Sequence, residues 1–270
     1  MENRVSITIS EGVADVRLNR ADKMNALDAP MFEALVAATE RLAHEKGVRV
    51  VVLSGEGRAF CAGLDMGRFA AMKENGGNGV AGGEKRDLTA RTHGLANFPQ
   101  QAVWGWRQLP VPVIAAIHGV AFGGGFQLAL GSDMRFVSPD ARMSIMEIKW
   151  GLVPDMAGTP ILASLVRDDI LRDLTYTGRI FSAQEALSYG LATRICGDPR
   201  ADALEVAREI AGKSPDAIRA IKRMLNNLSV DPGPALLAES IEQQKLIGGP
   251  NQTEAVRANL EKRAPRFADV

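Results

Sequence analysis

Two short alternating runs open the chain. Val5, Ile7 and Ile9 fall on one side, Glu11-Gly12 turns the chain, and Ala14, Val16 and Leu18 alternate again, which predicts a β-hairpin. Asp28, Pro30 and the spacing Met31, Leu35, Ala38, Leu42 predict a helix capped by Asp28. Val48 to Ser54 is almost continuously apolar, the pattern of a buried strand, and Gly55-Glu56-Gly57 breaks it. The pattern then predicts a helix over Gln100 to Gln108 and a buried strand over Val111 to Ile117. A helix over Phe126 to Leu130 follows Gly123-Gly124-Gly125 directly, with strands over Met134 to Val137 and Met143 to Ile148 after it. Ser182-Ala183-Gln184-Glu185 is a capping box. Helices are predicted near 201–212, 215–228 with Ser214 as N-cap, 232–247 and 252–263.

Strands and helices are mixed first and helices alone follow. This order predicts an α/β core over 1–199 and a helical C-terminal region over 200–270, with Pro199 at the boundary. Residues 74–88 hold five glycines and two asparagines and read as a mobile surface loop inserted between core elements. Gly77 to Gly82 fits the G-x-G-x-x-G spacing but follows no strand and opens no helix, so the dinucleotide reading fails.

Composition narrows the function classes. The 270 residues carry 32 Lys+Arg against 32 Asp+Glu, a net charge of zero that argues against a nucleic-acid binder. At 46% hydrophobic and 24% charged, the chain is an ordinary globular one. Its longest apolar run, Val113 to Ile117, is too short for a membrane span. Two cysteines and the lack of an apolar h-region near Met1 point to a reducing, cytoplasmic setting. His44, His93 and His118 are scattered and make no metal-ligand set; a hydrogen-bonding role fits His118, and packing fits Trp104 and Trp106.

Two glycine-bearing segments carry candidate chemistry. Ala59-Phe60-Cys61-Ala62-Gly63-Leu64-Asp65 follows a strand, and Gly123-Gly124-Gly125 enters a helix. Each can present a backbone N–H to an anionic oxygen, and two such groups on one oxygen make an oxyanion hole. A tight turn is the plain alternative for either segment alone.

The segments and their order resemble the enoyl-CoA hydratase/isomerase (crotonase) superfamily. Asn19-Arg20-Ala21-Asp22-Lys23-Met24-Asn25-Ala26-Leu27 resembles its N-R-P-x-x-x-N-A-L segment, with Ala21 in place of proline. Ala59 to Asp65 resembles A-F-x-A-G-x-D, and Pro112 to Gly119 with Gly123 to Gly125 resembles P-V-I-A-A-x-x-G-x-x-x-G-G-G. Glu147 with Gly151-Leu152-Val153-Pro154 resembles the catalytic-glutamate loop, and Glu261 to Phe267 resembles an E-K-R-x-P-x-F ending. The resemblance implies a spiral of ββα units with a C-terminal helical trimerisation region, a homotrimer or hexamer, and an acyl-CoA thioester as substrate. It implies no separate cofactor, since coenzyme A is part of the substrate. It places the oxyanion donors at the N–H groups of Leu64 and Gly124, and the CoA-binding positions at Lys23, Ala26, Ala62, Asp65 and Met66.

Two departures bear on the reaction. Family hydratases carry a glutamate where this chain has Gln127, and an amide takes no proton at neutral pH. Asp155 stands where many hydratases have glycine and where dienoyl-CoA isomerases have a catalytic aspartate. A helix N-cap is the alternative for Asp155, a helix-surface amide for Gln127 and a solvated loop carboxylate for Glu147. The sequence ranks hydration of a trans-2-enoyl-CoA by Glu147 first, with Gln127 positioning the water. A double-bond shift using Glu147 and Asp155 ranks second, and a thioester-binding protein with little turnover third.

Overall fold

The computed structural model describes residues 4–65, 67, 87–228 and 249–269. Met66, nearly all of the 74–88 loop and the helix expected over 232–247 lie outside the described residues. β1 (Val5–Ser10) and β2 (Val13–Leu18) form the expected antiparallel hairpin, with Val5 opposite Leu18. α1 (Ala29–His44) starts where Asp28 accepts the Met31 N–H, as the cap pattern requires. β3 (Val50–Gly55), α2 (Phe98–Gln108), β4 (Val113–Ile117), β5 (Val120–Phe122), α3 (Gly124–Leu130), β6 (Met134–Val137) and β7 (Arg142–Ser144) follow. Then come α4 (Gly158–Leu162), α5 (Asp168–Thr177), β8 (Phe181–Ser182), α6 (Ala183–Tyr189) and β9 (Arg194–Ile195). α7 (Pro199–Ala211), α8 (Pro215–Asn226) and α9 (Pro250–Glu261) end the chain.

The main sheet has the order β1-β2-β3-β4-β6-β9, parallel from β2 onward. A parallel sheet is covered on both faces, which is why β3 and β4 read as unbroken apolar runs. Val51, Leu53, Val113 and Ala115 face the large core with α1 and α2, while Val50, Val52 and Ile114 face Ala203, Ala207 and Ala211 of α7. The small side chains let α7 lie close against the sheet.

A second, smaller sheet, β5-β7-β8, lies beside the first. Isolated parallel bridges continue it, Cys61 with Ala121 and Leu27 with Leu64. After β2, β3, β4 and β6 in turn, the chain leaves the main sheet and lays a short extended segment into this second layer. The result is a spiral of strand–strand–helix turns.

Local differences from the sequence expectation have local causes. The strand expected over Met143 to Ile148 stops at Ser144, because Met146 (φ −90°, ψ 0°) turns the chain into a 3-10 turn, Glu147–Trp150. α2 begins two residues early, since Asn97 and Gln100 form a reciprocal capping box. Pro199 is the first residue of α7, capped by Asp198. Ser214 precedes α8 as expected, yet its hydroxyl makes no capping hydrogen bond.

Candidate active site

Asn25 sets the first glycine-bearing turn. It is fully buried in a left-handed conformation (φ 55°). Its side-chain oxygen accepts the Arg20 N–H at 2.9 Å, and its Nδ2 donates to the carbonyls of Glu56 (2.9 Å), Ala59 (2.9 Å) and Phe60 (3.2 Å). Leu27 donates its N–H to Gly63 O at 2.8 Å and accepts from Asp65 N at 3.1 Å. In a parallel pairing these bonds use the residues on either side of Leu64, so the N–H of Leu64 points away from Leu27. No acceptor among the described residues takes it.

The second turn lies against the first. Phe122 donates to Cys61 O and Gly123 to Ser144 O, which leaves Gly124 at the head of α3 with its N–H free of any acceptor among the described residues. Gly63 has φ +89°, and a Cβ there would stand 2.5 Å from Phe122 O and 3.8 Å from Gly124 N. Only glycine fits this approach. The Leu64 and Gly124 positions, 60 residues apart by numbering, therefore belong to two adjoining turns.

The carboxylate side comes from the 3-10 turn and the loop after it. Glu147 is 8% exposed, and its Oε1 would lie 3.4 Å from a Cβ on Gly123, so the carboxylate sits against the second glycine turn. Gln127, on α3, is buried; its Oε1 accepts from Met156 N (2.9 Å) and Gly158 N (3.0 Å), and its Nε2 donates to Glu147 Oε1 at 2.6 Å. Two backbone donors on one atom identify that atom as the amide oxygen. Glu147 Oε2 is buried and has no hydrogen-bond partner among the described residues.

Burial raises the Glu147 carboxyl above the ordinary glutamate value. The Gln127 hydrogen bond opposes the rise, and the negative charge of Asp155 adds to it. Burial likewise raises Asp155. Asp155 caps no helix: α4 starts at Gly158, with Ala157 (φ 65°) in the cap position. Of the two readings of Asp155, the cap therefore fails. Glu147 is a buried group, not a solvated loop carboxylate, and Gln127 is not on the surface of its helix.

The remaining expected positions are dispersed around the first turn. Ala26 is buried, Ala62 is half-buried with its N–H on Met24 O, and Lys23 is exposed on the 3-10 turn Ala21–Lys23. Asp65 accepts from Arg20 Nη1 at 2.5 Å and from Gly67 N at 2.8 Å. Burial alone would raise its pKa, but the Arg20 and Gly67 hydrogen bonds with the charges of Arg20 and Lys23 hold it below the ordinary value. Sequence reasoning missed that Met156 and Gly158 supply the amides that hold Gln127. A Cβ on Gly158 would stand 2.7 Å from Gln127 Oε1, so the glycine itself was the available signal.

His118 is structural, with Nε2 2.9 Å from Gly57 O, and the Trp106 indole donates to Ala102 O. Burial pushes the Cys61 thiol up to about 12, so it is a packing group. Among the described residues no cluster of three or more His, Cys, Asp or Glu is placed to hold a metal ion, and no helix is long and apolar enough to cross a membrane.

The sequence model of the enoyl-CoA hydratase/isomerase family matches residues 8–270. The chain belongs to this family. A carnitinyl-CoA dehydratase of Proteus mirabilis is 32% identical over 275 residues, covering 99% of each chain. A peroxisomal Delta(3,5)-Delta(2,4)-dienoyl-CoA isomerase of Arabidopsis thaliana is 32% identical over 259 residues, covering 94% of this chain and 91% of its own. The crystal structure of an enoyl-CoA hydratase from Bacillus anthracis superposes with a TM-score of 0.87 at 31% identity, over 98% of both chains. The spiral is thus the crotonase fold, and the protein is an enzyme of the hydratase/isomerase family.

Proposed function

We propose that this family member shifts a carbon–carbon double bond in an enoyl- or dienoyl-CoA thioester. The N–H groups of Leu64 and Gly124 hold the thioester oxygen as it gains enolate character, a contribution of about 3 kcal/mol for each donor. Glu147 Oε2 takes a proton from the carbon next to the conjugated system, and the electron pair moves onto the thioester oxygen. Glu147, now protonated, passes that proton on through the Asp155 carboxylate to the other end of the allyl system as the carbonyl re-forms, which leaves both carboxylates as they began. No atom is gained or lost, and no metal or redox group is needed. Lys23, Ala26 and Ala62 line the CoA side; Asp65 acts there through Arg20, which it holds. Assembly as a trimer or hexamer belongs to the same reading and is checked by light scattering.

One observation carries the choice. The group bonded to Glu147 is an amide, which neither gives nor takes a proton at neutral pH, and the carboxylate whose charge bears on Glu147 is Asp155. Hydration of a trans-2-enoyl-CoA is the second reading. The likeness to the Bacillus anthracis enoyl-CoA hydratase favours it, and so does the second hydrogen on Gln127 Nε2, which can hold a water beside Glu147. Incubation with 2-enoyl-, 3-enoyl- and dienoyl-CoA thioesters, with products resolved by mass, separates the two. A mass-neutral product of altered retention is expected. Gain of one water would replace isomerisation by hydration, and no turnover of any thioester would refute both.

A further inference from the structure

A pocket of about 160 Å³ opens beside the loop that carries Asp155. Ala157 and Pro160 form one wall, and Gln100 and Trp104 of α2 form another. Ala157 lies between Met156 and Gly158, the two residues whose N–H groups hold Gln127. The pocket is therefore walled by the residue that joins the two holders of the Gln127 amide. Its volume is close to that of a cavity that takes one benzene ring, roughly 150 Å³, which suits a short chain end.

Leu95, Trp104, Ala157 and Pro160 make the walls mainly apolar, and the guanidinium of Arg91 stands among them. Every acceptor that Arg91 meets among the described residues is neutral: Leu88 O (2.6 Å), Thr89 O (3.1 Å), Gln100 Oε1 (3.1 Å) and Leu95 O (3.5 Å). Asp87 feels the Arg91 charge, but its carboxylate is turned onto the N–H and hydroxyl of Thr89. Among the described residues no carboxylate pairs with Arg91. Its carbonyl contacts hold the guanidinium at the pocket, and its charge is left for an incoming anion.

We propose that this pocket takes the far end of the acyl group and that Arg91 selects chains ending in a carboxylate. The substrate is then a short diacid enoyl-CoA. This rests on the reading of the site as an enoyl-CoA site. The test uses two unreactive saturated thioesters of equal carbon count, glutaryl-CoA and pentanoyl-CoA, titrated calorimetrically into the full-length protein. Arg91 is exposed, so the pair is partly screened, and glutaryl-CoA is expected to bind about fivefold more tightly. High salt should reduce that ratio.

Arg91→Lys, which keeps the charge and loses the carbonyl fork, should retain the preference, and Arg91→Gln should bring the ratio to one. Equal affinities in the unmodified protein, or a ratio indifferent to salt, overturn the proposal. So does Arg91→Gln weakening both esters alike, which would make Arg91 only a brace for residues 88–95. If neither ester binds, the failure lies in the reading of the site as a thioester site, and the proposal goes with it.

Discussion

Gln127 and Glu147 are joined by one hydrogen bond of 2.6 Å whose direction is imposed from behind. Met156 N and Gly158 N occupy the Gln127 oxygen, so the amide can only donate to Glu147. One oxygen of Glu147 is thereby engaged, and the other, Oε2, is buried without a partner among the described residues. A carboxylate in that position is held ready at a cost in stability.

Glu147→Gln should reduce turnover by about 10²–10⁴-fold, the usual contribution of a positioned base. The same variant should be the more stable protein at neutral pH. An acid whose folded pKa is raised destabilises the fold once pH climbs from its ordinary value through its folded value, because the unfolded chain releases the proton first. Thermal melts should show a gain at about pH 7 that disappears at about pH 4, where both forms of residue 147 are neutral. A loss of stability at neutral pH would contradict the buried, ionised base.

Asp155→Asn removes a negative charge that raises Glu147. The acid limb of kcat/KM against pH should therefore move to lower pH. If Asp155 returns the proton in a double-bond shift, the variant also loses about a hundredfold or more in isomerisation. An unmoved limb would separate the two carboxylates.

Gly63→Ala and Gly124→Ala should differ in kind. The first puts a methyl 2.5 Å from the Phe122 carbonyl at φ +89°, and neither backbone segment can yield. The second meets the side-chain ends Met156 Sδ at 2.8 Å and Leu27 Cδ1 at 2.9 Å, which can swing aside. Denaturant titration should show Gly63→Ala as the larger loss, by about 2 kcal/mol or more. Gly124→Ala should keep most of its stability and lose activity, because the added methyl stands at the head of α3 beside the Gly124 N–H offered to the thioester oxygen.

Asn25→Ala should cost about 3 kcal/mol in urea unfolding, because the buried carbonyls of Ala59 and Phe60 lose their donor. Activity should fall with it, since the turn that presents Leu64 hangs on these bonds.

Much of the fold was legible because its signals are local. Asp28 and Ser182 cap where the sequence places caps, and the apolar runs of β3 and β4 announce a covered parallel sheet. The Asn97–Gln100 box is equally local, and it starts α2 two residues before the apolar spacing does. Glu147 and Gln127 were legible through the resemblance to the hydratase/isomerase family, which marks both positions. What the sequence left open was pairing across distance. Arg20 and Asp65 are 45 residues apart, and Asn25 reaches carbonyls up to 35 residues away. Nothing short of the folded spiral specifies those partners. The two meanings of Asp155 separated only when Ala157 proved to hold the cap position.

The spiral makes the site a late product of folding. Leu64, Gly124 and Glu147 come from successive turns, and each turn reaches its place only by pairing with the one before, through Leu27–Leu64, Cys61–Ala121 and β5–β7. Such pairings close long loops and are slow to form. A nascent or truncated chain ending before residue 147 lacks the Glu147 carboxylate and the β7 pairing that seats its turn. During refolding, recovery of turnover should lag behind recovery of helical signal, and turnover then serves as a clock for the last docking event.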